Sequence, residues 1–228
     1  MPTTIMCLPH AGAGASVYRP WRDHPFESIR VAPIQLPGRE ELFVEDFHAT
    51  MADAAEDVAD RVLAQAGDAP FALFGHSFGA VLAHEAAHVL VARGRPPAHL
   101  LVSGALTPQR VAGRIRVSEV DDDRLAAGVR EMIGYDHEAL RDPDLRELLL
   151  PVLRADMLLL ERFHPTGARL PLPITALRGE DDVMVSVADV REWADRTTDR
   201  FALVQLPGGH MYFTEAWPLL WKTIGAVL

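Results

Sequence analysis

Phe71-Ala72-Leu73-Phe74-Gly75-His76-Ser77-Phe78-Gly79 is the stretch on which the fold of this chain turns. The apolar run Phe71–Phe74 predicts a short buried parallel strand. From Phe78 the pattern becomes helical: Val81, Leu82, Ala86, Val89 and Leu90 share one broad face, which predicts a helix over Phe78–Arg93. Ser77 then stands on the sharp turn between strand and helix, where its hydroxyl is presented bare to a base and a substrate. A turn this tight crowds its own backbone, and Gly75 and Gly79 omit side chains two residues to either side of the serine.

Outward from this turn, strand and helix patterns alternate, the signature of a mostly parallel sheet flanked by helices. Further strands are predicted at Ile5–Leu8, Val31–Gln35, Leu100–Ser103, Ile174–Arg178 and Ala202–Leu206, and further helices at Ala49–Ala66, Val187–Asp195 and Thr214–Val227. The alternation breaks between Leu106 and Pro173, where helices are predicted at Asp121–Ile133 and Asp144–Phe163 and no strand is evident. The second of these is apolar almost all round, and Pro151 should start a new helix there or kink one. An insertion rich in Leu and Met after a strand–helix core reads as a lid over an apolar pocket, here at about 106–172 of a single domain.

Composition narrows the function. The 228 residues are 49% hydrophobic, enough for one α/β domain with a full core. No uncharged apolar stretch is long enough to span a membrane, and Met1–Leu8 does not read as a secretory signal. Cys7 is the single cysteine, which precludes an intrachain disulfide and fits a reducing cytoplasm; its place in an apolar run predicts burial. The formal net charge of −10 argues against a nucleic-acid partner.

A serine nucleophile needs a base, and the base needs an orienting carboxylate; after a strand–serine–helix turn these follow in the order acid, then histidine. Strand Ile174–Arg178 runs into Gly179-Glu180-Asp181-Asp182. Asp182 is the preferred acid, because the chain turns at the glycine before presenting it; Asp181 and Glu180 are the alternatives, otherwise read as a solvated acidic turn. Among ten histidines, His210 alone follows a strand and a tight Pro207-Gly208-Gly209 turn, 28 positions beyond Asp182. His76 is read as packing or pocket-shaping, and His24, His48, His84, His88, His99, His137 and His164 as surface or packing residues. The developing oxyanion needs two N–H donors. Phe78, directly after the nucleophile, supplies one, and Ala11 in the small-residue loop Pro9–Gly14 supplies the other. Val17 stands where a dinucleotide loop would place its third glycine, and no metal or phosphate motif is found, so neither a cofactor nor a metal is expected.

Several fragments together resemble the standalone (type II) thioesterases that serve polyketide and nonribosomal peptide synthases: Leu-Pro-His-Ala-Gly at 8–12, Tyr-Arg-Pro-Trp at 18–21, Gln-Leu-Pro-Gly-Arg-Glu at 35–40, Phe-Gly-His-Ser-Phe-Gly at 74–79, Val-Ser-Gly at 102–104, Leu-Leu-Pro-Val-Leu-Arg-Ala-Asp at 149–156, Ile-Thr-Ala-Leu at 174–177 and Pro-Gly-Gly-His at 207–210. The resemblance implies an α/β-hydrolase fold with a helical lid, a Ser77–Asp182–His210 triad and an oxyanion hole from Ala11 and Phe78. It also implies, as substrate, an acyl group carried as a thioester on the phosphopantetheine arm of an acyl or peptidyl carrier protein, removed when aberrant or stalled. Val183 departs from the proline many members place after the acid, with consequences expected only for loop stiffness. For Arg39 and Tyr18-Arg19 the reading is structural, as loop anchors. Carrier proteins are acidic, so a basic patch from Arg110, Arg114 and Arg116 is expected near the entrance, on a monomeric enzyme. The competing readings are a carboxylester hydrolase acting on free small esters and a non-catalytic binding module on the same scaffold.

Overall fold

The computed structural model describes residues 3–23, 26–114, 116–133, 142–214 and 217–228. Its sheet has six strands in the order β2-β1-β3-β4-β5-β6, at Thr3–Leu8 (β1), Ile29–Pro33 (β2), Phe71–His76 (β3), Leu100–Ser103 (β4), Ile174–Gly179 (β5) and Phe201–Leu206 (β6). Every neighbouring pair is parallel. The α/β class expected from the strand–helix alternation is therefore present.

A parallel sheet needs cover on both faces, and the strands divide their side chains accordingly. From β1, Met6 and Leu8 join a core with helices α1 (Met51–Ala66) and α2 (Phe78–Ala92). Ile5 and Cys7 point the other way, into a core with Tyr18, Trp21 and the C-terminal helix α7 (Trp217–Val227). Cys7 is buried, as its apolar run predicts. Thr50 caps α1 by accepting the Asp53 N–H at 3.1 Å, so the helix starts after the predicted Ala49.

Other boundaries also differ from the sequence reading. β2 begins and ends two residues before the predicted Val31–Gln35, and Ile34 N–H still reaches Cys7 O at 2.9 Å beyond its end. The predicted helix Val187–Asp195 is instead α6 (Val187–Arg191) followed by a 3-10 turn, Glu192–Arg196. The predicted Thr214–Val227 divides into a 3-10 turn ending at Thr214 and α7, with residues 215–216 outside those described.

Between β4 and β5 lie α3 (Pro108–Val111), α4 (Asp122–Ile133) and α5 (Pro143–Arg162). Pro151 does not start a new helix: α5 runs unbroken through it. The proline is solvent-exposed, so the Glu147 carbonyl it leaves without an amide donor is on the wet side of the helix. α5 seats its C-terminal half, Leu159 and Leu160, in the main core. Its Leu150 and Leu153 form a separate small cluster with Leu125 and Ala126 of α4. Leu145 and Leu148, on the N-terminal half, are exposed.

The two glycines flanking the serine turn are sterically obligatory. A Cβ on Gly75 would stand 2.1 Å from Gly79 O, and one on Gly79 would stand 2.4 Å from both Leu8 O and Pro9 O. Backbone cannot yield as a side chain does, so Gly79→Ala should lower stability by about 1–3 kcal/mol. A urea denaturation midpoint equal to wild type would contradict this packing.

Candidate active site

The register places the ends of β1, β3, β5 and β6 along one edge: Leu8 pairs with Gly75, and Gly179 with Leu206. Loops leaving the carboxyl ends of parallel strands meet in such a crevice. Ser77 caps the N-terminus of α2 with φ 53° and ψ −117°, a conformation few non-glycine residues adopt. Its N–H donates to Ser103 O at 2.8 Å, which fixes the turn against β4. Strain of this kind, costing roughly 1–3 kcal/mol, gathers where geometry serves chemistry.

Asp182 and His210 are brought together. Asp182 Oδ2 lies 2.9 Å from His210 Nδ1, with both side chains buried. Asp182 Oδ1 accepts the N–H groups of Met184 at 2.8 Å and Val185 at 3.2 Å. Burial alone pushes this carboxyl up, but the bond and charge of His210 and the two loop N–H groups outweigh it, and its pKa lies below the ordinary 3.8. Glu180 and Asp181 are exposed, the solvated turn read for them from the sequence. The acid and histidine loops are stitched together by Asp181 N–H to Gly208 O at 3.0 Å and Glu180 N–H to Leu206 O at 2.7 Å. A Cβ on Gly179 would fall 2.2 Å from Gly209 O, so this seam also depends on a bare backbone.

The cation that steadies the acidic turn is Arg178, which the sequence reading did not single out. It touches no carboxylate there: Nη2 donates to Asp182 O at 2.8 Å and Nε to Val185 O at 2.9 Å. An arginine at the end of an apolar strand entering an acidic loop is the signal the sequence offers.

The His76 ring, one residue before Ser77, is 4.9 Å from the His210 ring. No hydrogen bond joins Ser77 Oγ to His210; the histidine's side-chain bond among the described residues is the one to Asp182. Nucleophile–base bonds are often loose in unliganded sites. His76 is wholly buried, its Nδ1 2.9 Å from Ser103 Oγ, which lies 2.6 Å from Tyr212 Oη. Burial, reinforced by His210 and His10, holds His76 well below the ordinary histidine value, so it is neutral. His48 and His84 make local bonds with Asp57 and Glu85, and His99 bonds Thr175, 76 residues away. His24 and His137 lie outside the described residues.

Neither expected oxyanion donor is consumed: the Ala11 and Phe78 N–H groups have no acceptor among the described residues. Phe78 N–H is the first amide of α2, without an intrahelical partner. The Ala11 loop is held by Tyr18, whose hydroxyl donates to Leu8 O at 2.7 Å. Tyr18 thus anchors as expected, whereas Arg19 is exposed.

Arg39 anchors loops as expected, donating to Pro37 O at 3.3 Å and to Ala13 O at 3.1 Å, but its buried ion-pair partner was not foreseen. Arg39 Nη1 and Nη2 each donate to Asp156 at 2.7 Å, across 117 residues of chain. Asp156 Oδ2 also accepts Gly12 N–H at 2.8 Å. Burial raises the Asp156 carboxyl above its ordinary value, and the Arg39 guanidinium and Gly12 N–H work against that rise. Arg39 and Asp156 line, with Phe47, Phe78 and Leu159, a cleft whose free interior is about 10 Å³, at most one water. The expected basic patch is weakened at Arg110, which is tied to Asp189 at 3.0 Å and Glu192 at 3.4 Å. Arg114 and Arg116 are exposed.

A parallel α/β sheet with a strained serine between strand and helix, and a buried Asp–His pair at the same edge, defines a hydrolase of the α/β-hydrolase fold. The family is given by comparison: residues 3–228 match the thioesterase domain family, and the chain belongs to it. It is 34% identical to the thioesterase PikA5 of Streptomyces venezuelae over 93% of this chain and 76% of that protein. Among solved structures it is similar to the RedJ thioesterase of the prodiginine pathway of Streptomyces coelicolor, with TM-score 0.89, 35% identity, and coverage of 100% of this chain and 91% of that one. It also resembles the type II thioesterase BorB of the borrelidin cluster, with TM-score 0.88, 31% identity, and coverage of 100% and 93%. Among the described residues no helix is long and apolar enough to cross a membrane.

The lowered pKa of Asp182 fixes a sign for the pH dependence of stability. A carboxyl depressed on folding stabilises above its unfolded value and loses that contribution as pH falls through its folded one. The stability gap between wild type and Asp182→Asn should therefore be open at neutral pH and close as the solution is acidified below 3.8. Urea unfolding across that range measures it, and a gap that widened in acid would contradict the charged assignment.

Proposed function

We propose that the chain is an editing thioesterase that frees acyl groups from the phosphopantetheine arm of carrier proteins of a polyketide or nonribosomal peptide synthase. The observation that carries this reading is the Asp182–His210 pair at 2.9 Å, on strand ends next to the Ser77 turn. The names of the relatives supply the pathway context: RedJ and BorB are both described as thioesterases of biosynthetic pathways or clusters.

In this mechanism His210 Nε2 takes the Ser77 proton, and the alkoxide attacks the thioester carbonyl. Asp182 keeps the Nδ1 proton in place and stabilises the imidazolium. The oxyanion accepts the Phe78 and Ala11 N–H groups, each worth roughly 3 kcal/mol of barrier. The tetrahedral intermediate collapses, the pantetheine thiolate leaves and takes the proton from His210, and an acyl-enzyme remains. A water, deprotonated by the same imidazole, attacks the acyl-enzyme; its proton passes through His210 to Ser77 as the free acid departs. No step needs a metal or a cofactor.

The chain is read as one α/β-hydrolase domain in which α3, α4 and α5 form the lid over the acyl chain. The cleft beneath α5 has a free interior of about 10 Å³, so an acyl chain lying there would have to displace α5 or the loop near Phe47. Carrier docking falls to Arg114 and Arg116, since Arg110 is already neutralised. The enzyme is taken to act as a cytoplasmic monomer.

A panel of carrier-bound acyl groups, with released acid read by mass, tests the scheme. Ser77→Ala should abolish release, and Asp182→Asn should cut kcat by roughly 10³- to 10⁴-fold while Asp181→Asn leaves it near wild type. Matched oxoesters should turn over more slowly than the thioesters; preferred turnover of free oxoesters would favour the carboxylester reading instead. Arg114→Glu with Arg116→Glu should raise KM for the carrier-bound substrate and spare a free pantetheine thioester.

A further inference from the structure

The peptide unit joining Ala11 to Gly12 is gripped from both sides. Ala11 O lies 3.1 Å from His10 Nδ1, and Gly12 N–H donates to Asp156 Oδ2 at 2.8 Å. The turn is closed by Ala13 N–H to His10 O at 3.1 Å, and Ala13 O accepts from Arg39 Nη1 at 3.1 Å. Gly12 has φ 78°, and a Cβ there would meet Leu153 Cβ at 3.3 Å, so α5 rests directly on this loop. Asp156 of α5, which Arg39 holds bidentately, makes the hydrogen bond from this helix to the loop.

We propose that Asp156, clasped by Arg39, is a positioning residue that ties α5 to the loop His10–Ala13 and so holds the Ala11 N–H where the oxyanion forms. The inference rests on the thioesterase mechanism above and deepens it. It makes the lid part of the oxyanion site: displacing α5 withdraws the carboxylate that sets the peptide plane beside the donor. A donor misplaced by about 1 Å forfeits about 100-fold in rate. The loss falls on the transition state, because a planar carbonyl needs the donor less than a tetrahedral oxyanion does.

The test separates positioning from mere support. Removing one partner strands a buried charge and destabilises the protein, whereas replacing both with apolar residues of similar size is often neutral for stability. The double variant Arg39→Met, Asp156→Leu is therefore assayed beside Asp156→Asn and Ser77→Ala on an acyl-pantetheine thioester. Thermal midpoint, kcat, KM and the Ki of a trifluoromethyl ketone that mimics the tetrahedral anion are measured together. The expected result is a double variant that melts near wild type, with kcat reduced about 10- to 100-fold and KM within about threefold. The Ki of the ketone should rise in step with the loss of kcat. Should the double variant not fold, Asp156→Asn carries the test with the same split. Wild-type kcat and Ki in the folded variants, or a change confined to KM, overturns the proposal. Activity surviving in Ser77→Ala would instead overturn the mechanism on which it rests.

Discussion

Backbone packed on backbone is the constraint from which the rest of this molecule follows. Six parallel strands deliver their loops to one edge, and at the crossings the chain leaves no room for a β-carbon. Gly79 passes 2.4 Å, measured from its missing Cβ, from the carbonyls of Leu8 and Pro9, and Gly179 passes 2.2 Å from that of Gly209. The first contact brings the serine turn against the Pro9–Gly14 loop, and the second locks the acid loop to the histidine loop. Side chains then need little reach: Asp182 and His210 meet at 2.9 Å because their loops already touch.

Electrostatics completes what packing begins. Arg178 does not neutralise the acidic turn by pairing with its carboxylates. It gathers the carbonyls of Asp182 and Val185, which leaves the Asp182 carboxylate to accept two loop N–H groups and face the imidazole. The negative charge is held by hydrogen bonds inside the protein, so it is available to orient His210 without water. His76, kept neutral by burial, fills the space beside that imidazole without bringing a second positive charge into it.

What could be read from the sequence was local. The serine turn, the acid three residues after a glycine and the histidine after a double glycine each announce themselves within a few residues of a strand end. The alternating faces of β1 were equally visible, because strand periodicity is a property of neighbours. Contacts between distant segments were not. Arg39 and Asp156 stand 117 residues apart in two separate sequence fragments, with nothing local to pair them. That Pro151 starts no new helix was hidden for the same reason: whether a helix tolerates a proline depends on which side faces water, and tertiary packing decides that. Arg110 looked available for a partner until α6 supplied Asp189.

The central claim is that Ser77 is made nucleophilic by His210 and Asp182. The most direct measurement is the rate of covalent labelling by a fluorophosphonate, located by peptide mapping, in the wild type and in His210→Ala. The account predicts a single modified peptide carrying Ser77 and labelling that nearly vanishes when His210 is removed from an otherwise folded chain. Labelling at another residue, or labelling of Ser77 at an undiminished rate without the imidazole, would contradict it.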